Sequence, residues 1–269
     1  MSINPPSIWI ESKYFREYRK LFGFTNADAA KTFFQAKDLV PSVDYWHISV
    51  INERLIDIIA KLNEIIHPNI KIESLDEFNE AYIHKAYAIL TTNDIIEKLN
   101  NQWRRVEDVY FSWMRGYIIS FFFIKALWLI FNVNIKNIKP IGDDNLKNIE
   151  TFRRSAQADM EVSLANWKLL RLEIQSGFTG INDIKQHKVR EAKRIYEDSW
   201  EETMVIHFDI FNGQVWFIPI HAIEDNHQNW VTRTQMEWQT VFSIDQNFFL
   251  WKLMDKPIAY HEIVEFLQH

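Results

Sequence analysis

The sequence predicts an α+β or α/β chain: a central mixed β-sheet flanked by helices, with a large helical part ahead of it. Three observations predict it. Apolar residues recur at three- and four-residue intervals through the first third. Two segments of alternating pattern, each broken by turn residues, lie between residues 157 and 220, and a basic helical segment separates them. The order is strand, strand, helix, strand, strand. A chain of 269 residues that is 47% hydrophobic and 15% aromatic buries a substantial core, as one elaborated domain or two intimate ones, and is not a disordered chain.

In the first third, Thr25 or Asn26 is positioned to cap a helix running through Ala29 to Phe34, and Ser74-Leu75-Asp76-Glu77 has the form of a capping box. From Asp44 to Ile66 the residues Ile48, Ile51, Leu55, Ile58, Ile59, Leu62 and Ile65 fall on a helical core face. The most apolar run, Trp113 to Val133, has the length of one membrane span but contains Arg115 and Lys125. A central lysine costs about 2.5–3.5 kcal/mol in a bilayer, so a buried helix is expected instead. Asn134 to Asn145 is the best candidate for a boundary. The expected organisation is a helical region over 1–135, a core over 136–222 and a C-terminal region over 223–269, packed as one unit.

The core begins with QADMEVSLANWKLLRLEIQSG, residues 157–177. At a period of two it gives two strands joined by Leu164-Ala165-Asn166, with Met160, Val162, Leu170, Leu172 and Ile174 forming an apolar back. Asp159 and Glu161 on one strand, and Glu173 and Gln175 on the other, then share the polar face. Carboxylates held this close repel unless a cation lies between them. Hard oxygen donors favour Mg²⁺ or Mn²⁺, and Mg²⁺ uses only one or two carboxylates, completing its shell with water and phosphate oxygens. The same spacing also occurs on an ordinary solvated sheet face.

After Gly177 comes a loop rich in Gly, Thr and Asn, and then IKQHKVREAKRIYEDSW, with Ile184, Val189, Ala192, Ile195 and Tyr196 at helical spacing and Lys185, Lys188, Arg190, Lys193 and Arg194 making it basic. The strands MVIHFDIF and QVWFIPI follow, with Asn212-Gly213 as a hairpin signal between them.

Asp159, then Glu173-Ile174-Gln175, then a basic helix resembles the catalytic core of the PD-(D/E)XK nuclease superfamily, the fold of many type II restriction endonucleases. The resemblance covers about residues 150 to 220. It implies a restriction-endonuclease-like sheet, with the apolar helix before it packed beneath, and a Mg²⁺ ion, replaceable by Mn²⁺, held by Asp159 and Glu173, with Glu161 a further ligand candidate. The family's last motif position is usually lysine and here is Gln175. Glutamine cannot serve as a base, so Gln175 is expected to orient the attacking water, with Lys185 or Lys188 supplying the missing charge. Ala158 stands where the family often has proline. The implied activity is site-specific hydrolysis of double-stranded DNA by a homodimer at a short palindromic sequence, without a nucleotide cofactor. The alternatives are a structure-specific repair or junction nuclease of the same fold, and a non-catalytic DNA-binding or interaction protein.

Charge and composition bear on these readings. The net charge of −6 argues against a general nucleic-acid coat protein. Between Arg153 and Arg194, however, nine basic residues face five acidic ones, so positive charge gathers around the proposed site. Lys185, Lys188, Arg190, Arg104 and Arg105 are the candidates for phosphate contact. Glu107 or Asp108 could add a carboxylate, although a capped, solvated helix start explains residues 100–108 better. In DNHQNWVTRTQMEWQ, residues 225–239, the candidates for base contacts are Asn226, Gln228, Asn229, Arg233 and Gln235, since Asn and Gln pair with adenine and Arg with guanine. A polar loop leading to an edge strand is the plainer reading. The segment Gln246 to Leu267 has helical spacing and suits a core or a dimer interface.

Other chemistries find no support. The six glycines build neither a Walker loop nor a dinucleotide fingerprint, and no Gly-x-Ser-x-Gly elbow occurs. His261-Glu262 begins like a zinc-protease motif, but position 265 is glutamate. Without cysteine there is no disulfide framework and no thiolate zinc site. The opening MSINPPSIWIESK lacks the pattern of a signal peptide, so a cytoplasmic location is expected.

Overall fold

The computed structural model describes residues 12–36, 38–99, 104–142, 146, 158–164, 168–234 and 238–268. The helices of the first half are α1 (Ser12–Leu21), α2 (Ala27–Phe34), α3 (Tyr45–Ile65), α4 (Leu75–Asn79), α5 (Lys85–Thr92), α6 (Val106–Phe122) and α7 (Ile124–Phe131). Their starts follow local chemistry. Asn26 accepts a hydrogen bond from the Ala29 N–H, Asp44 from His47 and Ser74 from Glu77, each satisfying a first-turn donor that the helix leaves open. The core face expected on α3 is present at Ile48, Ile51, Leu55, Ile59 and Leu62, whereas Ile65 is exposed because the helix ends there and the chain turns away.

The apolar run Trp113 to Val133 forms two helices and not one. They meet at Phe123 with a bend of 43°, and no single described helix is long and apolar enough to cross a membrane. The bend brings Phe123 flat onto Phe208 of the sheet, ring centroids 4.1 Å apart.

The strands are β1 (Ile138–Pro140), β2 (Met160–Ser163), β3 (Leu169–Gly177), β4 (Asp183–Lys185), β5 (Glu202–Asp209), β6 (Gln214–Pro219), β7 (Trp230–Arg233), β8 (Gln239–Ser243) and β9 (Trp251–Lys252), with α8 (Gln186–Ser199) and α9 (Tyr260–Leu267) between and after them. A six-stranded mixed sheet has the order β1-β2-β3-β5-β6-β9; only β3 and β5 run parallel, joined through β4 and α8. A smaller antiparallel sheet has the order β4-β8-β7. The arrangement is a mixed α+β fold. The predicted order of strands and helix is present from β2 to β6. The β5–β6 hairpin turns through Ile210–Gly213, where Gly213 adopts a φ of +68° and its N–H closes on the Asp209 carbonyl.

Two expectations are corrected. Ile184 lies on β4, not on the basic helix, which begins at Gln186; three residues pair with β8 before the helical spacing takes over. The segment from Gln246 to Leu267 is α-helical only over Tyr260–Leu267, with a single 3-10 turn at Gln246–Phe248. Between them it supplies the edge strand β9, whose Trp251 is buried against Val215.

The two faces of the main sheet are buried differently. Met160, Val162, Leu170, Leu172, Ile174, Met204, Ile206 and Phe208 face α3, α6 and α7 in one large core that also takes in Ile138, Trp251 and Ile263. That core joins residues on both sides of each proposed boundary, and β1, within the candidate linker, pairs with β2. On the opposite face, Val205, Trp216 and Ile218 pack with Val189 and Ala192 of α8 and with Phe242 of the small sheet.

Candidate active site

The site lies on the α8-facing side of β2, β3 and β5. Antiparallel pairing sets Met160 opposite Leu172, so one step further along the ladder Asp159 comes alongside Glu173. The Asp159 carboxylate does not point into solvent: Oδ2 accepts a hydrogen bond of 2.7 Å from the N–H of Ile174, the residue between Glu173 and Gln175. Its own carbonyl accepts the N–H groups of Ile141 and Gly142, which fixes the entry to β2. Glu161 stands two residues away, flanked across the sheet by Lys139 and Arg171. Arg171 is drawn to Glu201 by a 2.6 Å hydrogen bond from Nε.

Glu173 is 7% exposed, and α8 reaches it through Lys188. Lys188, in the first turn of that helix, brings Nζ to 2.9 Å from Oε1 and 3.0 Å from Oε2. Of the two lysines expected to supply charge here, Lys188 thus contacts a motif carboxylate, while Lys185 and Arg190 are exposed. The helix opens without a side-chain cap from Lys185, so the positive end of its dipole lies beside a cluster of cations. His187 senses that cluster. Its pKa is lowered first by burial and then by Lys185 and Lys188.

Behind Gln175 runs a buried polar chain. In the parallel register of β3 and β5, Gln175 pairs with His207 and Gly177 with Asp209. His207 Nδ1 lies 3.5 Å from Gln175 Oε1, its Nε2 2.7 Å from Asn182 Oδ1, and Asn182 Nδ2 donates at 2.9 Å to Asp209 Oδ2. Asp209, wholly buried, also accepts the backbone N–H groups of Phe211 and Asn212 and the Asn212 amide. Gly177 makes the chain possible: a Cβ there would sit 2.2 Å from Asn182 Oδ1 and 3.1 Å from His207 Nε2. Burial pushes the His207 pKa down to about 4, with Asp209 and Asp183 only partly opposing it.

His207, Asn182 and Asp209 were not among the residues singled out from the sequence. The alternation in MVIHFDIF carries the signal, because it sets His207 and Asp209 on the face shared with Glu173 and Gln175, inside an otherwise apolar strand. Arg115 enters the sequence reading only as a charge inside the apolar run. Its guanidinium lies 4.6 Å from the Phe111 ring centroid and 4.4 Å from that of Phe178, at the end of β3, with Nε buried and unbonded.

Other candidates are engaged locally. Arg104 donates to the Asp108 carbonyl and to Ser112, and Arg105 to Glu107, so both hold the start of α6. Glu107 is buried; burial disfavours its carboxylate, yet the Asp44 N–H, its own N–H and Arg105 together keep its pKa below the usual range. It therefore joins α6 to α3; the helix starts at Arg105 without a side-chain cap, and Glu107 is buried where the sequence predicts a capped, solvated start. Arg233 forms a bidentate pair with Asp183, at 2.9 and 3.0 Å, and donates to Ser243. Asn229 bonds the Ser243 carbonyl through its amide. Asn226 and Gln228 are exposed on the loop before β7, and Gln235 lies outside the described residues, as do residues 165–167 of the β2–β3 turn and 100–103 before α6. A separate cleft of about 790 Å³, lined by Asn132, Gln214, Trp251, Lys252 and His261 among others, contains none of these site residues.

No family model matches the chain, and no curated protein matches it.

Proposed function

We propose that the protein is a Mg²⁺-dependent endonuclease that hydrolyses DNA phosphodiester bonds at a specific short sequence, built on a restriction-endonuclease-like version of the mixed α+β fold. The observation that carries this reading is the convergence of Asp159, Glu173 and Gln175 on one strand pair, with Lys188 reaching Glu173 from the next helix. The donor set fits the ion: two carboxylates are what Mg²⁺ takes from a protein when phosphate and water complete its shell. Asp159 and Glu173 would hold it, Glu161 remaining a further candidate. When bound, it would polarise the phosphoryl group and lower the pKa of a water.

The chain's own groups divide the remaining work. Gln175 accepts a hydrogen bond from the attacking water and orients its lone pair, since an amide takes no proton. The water oxygen bonds to phosphorus as one P–O ester bond breaks; the water's proton leaves to solvent, and a solvent proton completes the departing alcohol. Lys188 carries beside Glu173 the ammonium that the resembling family usually carries at the position of Gln175. Lys185, Arg190 and the open start of α8 favour the phosphate backbone, while Asn226 and Gln228 are suited to base edges. A homodimer would match a palindromic site, because a two-fold axis repeats the same reading surface.

The test is digestion of unmethylated phage DNA with Mg²⁺, with Ca²⁺ and with EDTA, comparing wild type and Glu173→Ala. Discrete fragments with Mg²⁺ alone, absent in the variant, are expected. Cleavage restricted to branched or damaged DNA would point to a structure-specific nuclease of the same fold. One observation favours a second reading: Lys188 already neutralises Glu173, as in a non-catalytic protein whose carboxylate serves to seat α8. Intact DNA under every condition would support that reading.

A further inference from the structure

We propose that His207, Asn182 and Asp209 are positioning residues that fix which end of the Gln175 amide faces the reacting water. The inference rests on the nuclease reading for its catalytic half, and on the buried hydrogen-bond chain for its geometry.

The chain has a direction, and Asp209 sets it. A carboxylate only accepts hydrogen bonds, and the groups gathered on this one are donors: two backbone N–H groups, the Asn212 amide and the Asn182 amide. Asn182 must therefore turn its nitrogen to Asp209 and its oxygen to His207. That oxygen lies 2.7 Å from Nε2, a distance that requires a donor, so Nε2 carries the ring proton. A neutral imidazole protonated at Nε2 presents Nδ1 as an acceptor. At 3.5 Å, Nδ1 then asks for the nitrogen of the Gln175 amide and not its oxygen. The two ends of a carboxamide are nearly isosteric, so a half-turn about the terminal bond satisfies the chain and turns Oε1 away from His207, on the sheet face that Gln175 shares with Glu173 and Asp159. An oxygen there orients water by accepting from it; an NH₂ group would present a donor to the water and turn its lone pairs away from phosphorus.

Burial holds His207 in this form against the two nearby carboxylates, Asp209 and Asp183. Gln175 faces it from β3, Asn182 and Asp183 from the segment ahead of α8, Asp209 from its own strand, and the aromatic Trp216 stands next to it in the ladder on β6. At 3% exposure the ring is nearly sealed from water, and the bare backbone of Gly177 leaves room for Asn182 to reach it.

The wild-type protein, labelled with ¹⁵N-histidine and ¹⁵N-glutamine, tests the orientation without any assay of activity. At neutral pH, His207 should show a protonated Nε2 and an unprotonated Nδ1 coupled to the Gln175 amide nitrogen. A proton on Nδ1, or on both nitrogens, would overturn the proposal. Single-turnover cleavage then tests the consequence. His207→Phe should slow the step about 10- to 100-fold, the range for groups that orient others, with DNA affinity in Ca²⁺ unchanged. In a Gln175→Glu background, where both ends of the side chain are oxygens, the same substitution should change the rate less than about threefold. Equal losses in both backgrounds would mark His207 as merely structural and sink the idea. A wild-type protein that cuts no DNA would end the nuclease reading, while the labelled spectra would still decide the orientation of the amide.

Discussion

Strands β3 and β5 of the main sheet contribute to both of its faces, yet the two faces bury different chemistry. Toward α3, α6 and α7 the strands present Leu170, Leu172, Ile174, Met204, Ile206 and Phe208, a continuous apolar surface. Toward α8 they present, beside the apolar Val205, the polar Glu173, Gln175, His207 and Asp209, of which Glu173, His207 and Asp209 are almost as inaccessible. The first face stabilises the fold by removing hydrocarbon from water, roughly 25 cal/mol per Å². The second gains little, because each buried polar group must first recover the hydration it lost. A fold that needed only stability would fill both faces alike. What the contrast teaches is that the α8 side holds its polar groups in fixed positions at a cost in stability, as binding and catalytic sites do.

The comparison is sharpest if one substitution on each face is measured by both activity and stability. Glu173→Gln removes a charge from the polar face while keeping its shape. Cleavage should fall by about 10³-fold, the scale for losing a principal electrostatic group at a reacting centre, while chemical denaturation shows a loss of only about 1–2 kcal/mol from the weakened contact with Lys188. Phe208→Ala, on the other face, should reverse the pattern. It deletes a wholly buried ring stacked on Phe123 and should cost about 3–5 kcal/mol of stability. Activity per folded molecule should then be retained. If both variants lose stability alike and neither changes cleavage, the faces do not differ in role.

A third measurement uses acid. His207 is neutral in the folded protein down to about 4, against an ordinary value of 6.5. Above pH 6.5 neither state binds the proton, so the group imposes no penalty. As the pH falls from 6.5 towards 4, the unfolded chain takes up a proton that the folded chain refuses, and stability drops. Between pH 7 and pH 5 the loss from this one group should be about 2 kcal/mol. Urea midpoints at the two pH values, compared between wild type and His207→Phe, isolate it from the other titrating groups. An unchanged difference between the two proteins would mean that His207 is not held neutral.

Much of this architecture is legible in the sequence wherever local chemistry decides it. The caps at Asn26 and Ser74, the face of α3 and the order from β2 to β6 follow from spacing and turn residues, each of which depends on a few neighbours in the chain. What the sequence concealed depends on distant partners. Asp183-Ile184-Lys185 is a strand only because β8 pairs with it, and the bend at Phe123 coincides with a ring contact to Phe208, 85 residues further along the chain. The candidate site divides in the same way. Asp159, Glu173 and Gln175 share a face by the period of the strand, but Asn182 enters the site across Gly177 from a loop, which no periodicity encodes.

Arg233 provides the smallest and most local test of where the polar region ends. Its side-chain chemistry suits guanine, which made it a candidate for base contact, but in the fold it grips Asp183, whose side chain is only 6% exposed, and reaches Ser243 on the neighbouring strand. Those bonds tie β7 and β8 to β4, and β4 leads directly into α8 and Lys188. Truncation would leave a nearly buried carboxylate without its partner, so Arg233→Ala should cost about 1–2 kcal/mol, measured by thermal or urea unfolding. DNA affinity and the choice of cleavage site should not change. Asn226→Ala, on the exposed loop before β7, should do the reverse: stability within about 0.5 kcal/mol of wild type, with weaker binding to the cleaved sequence. Should Arg233→Ala instead relax sequence preference while leaving stability intact, the guanidinium must leave Asp183 when DNA arrives, and the polar region would extend from the α8 side of the sheet to the outer edge of β7.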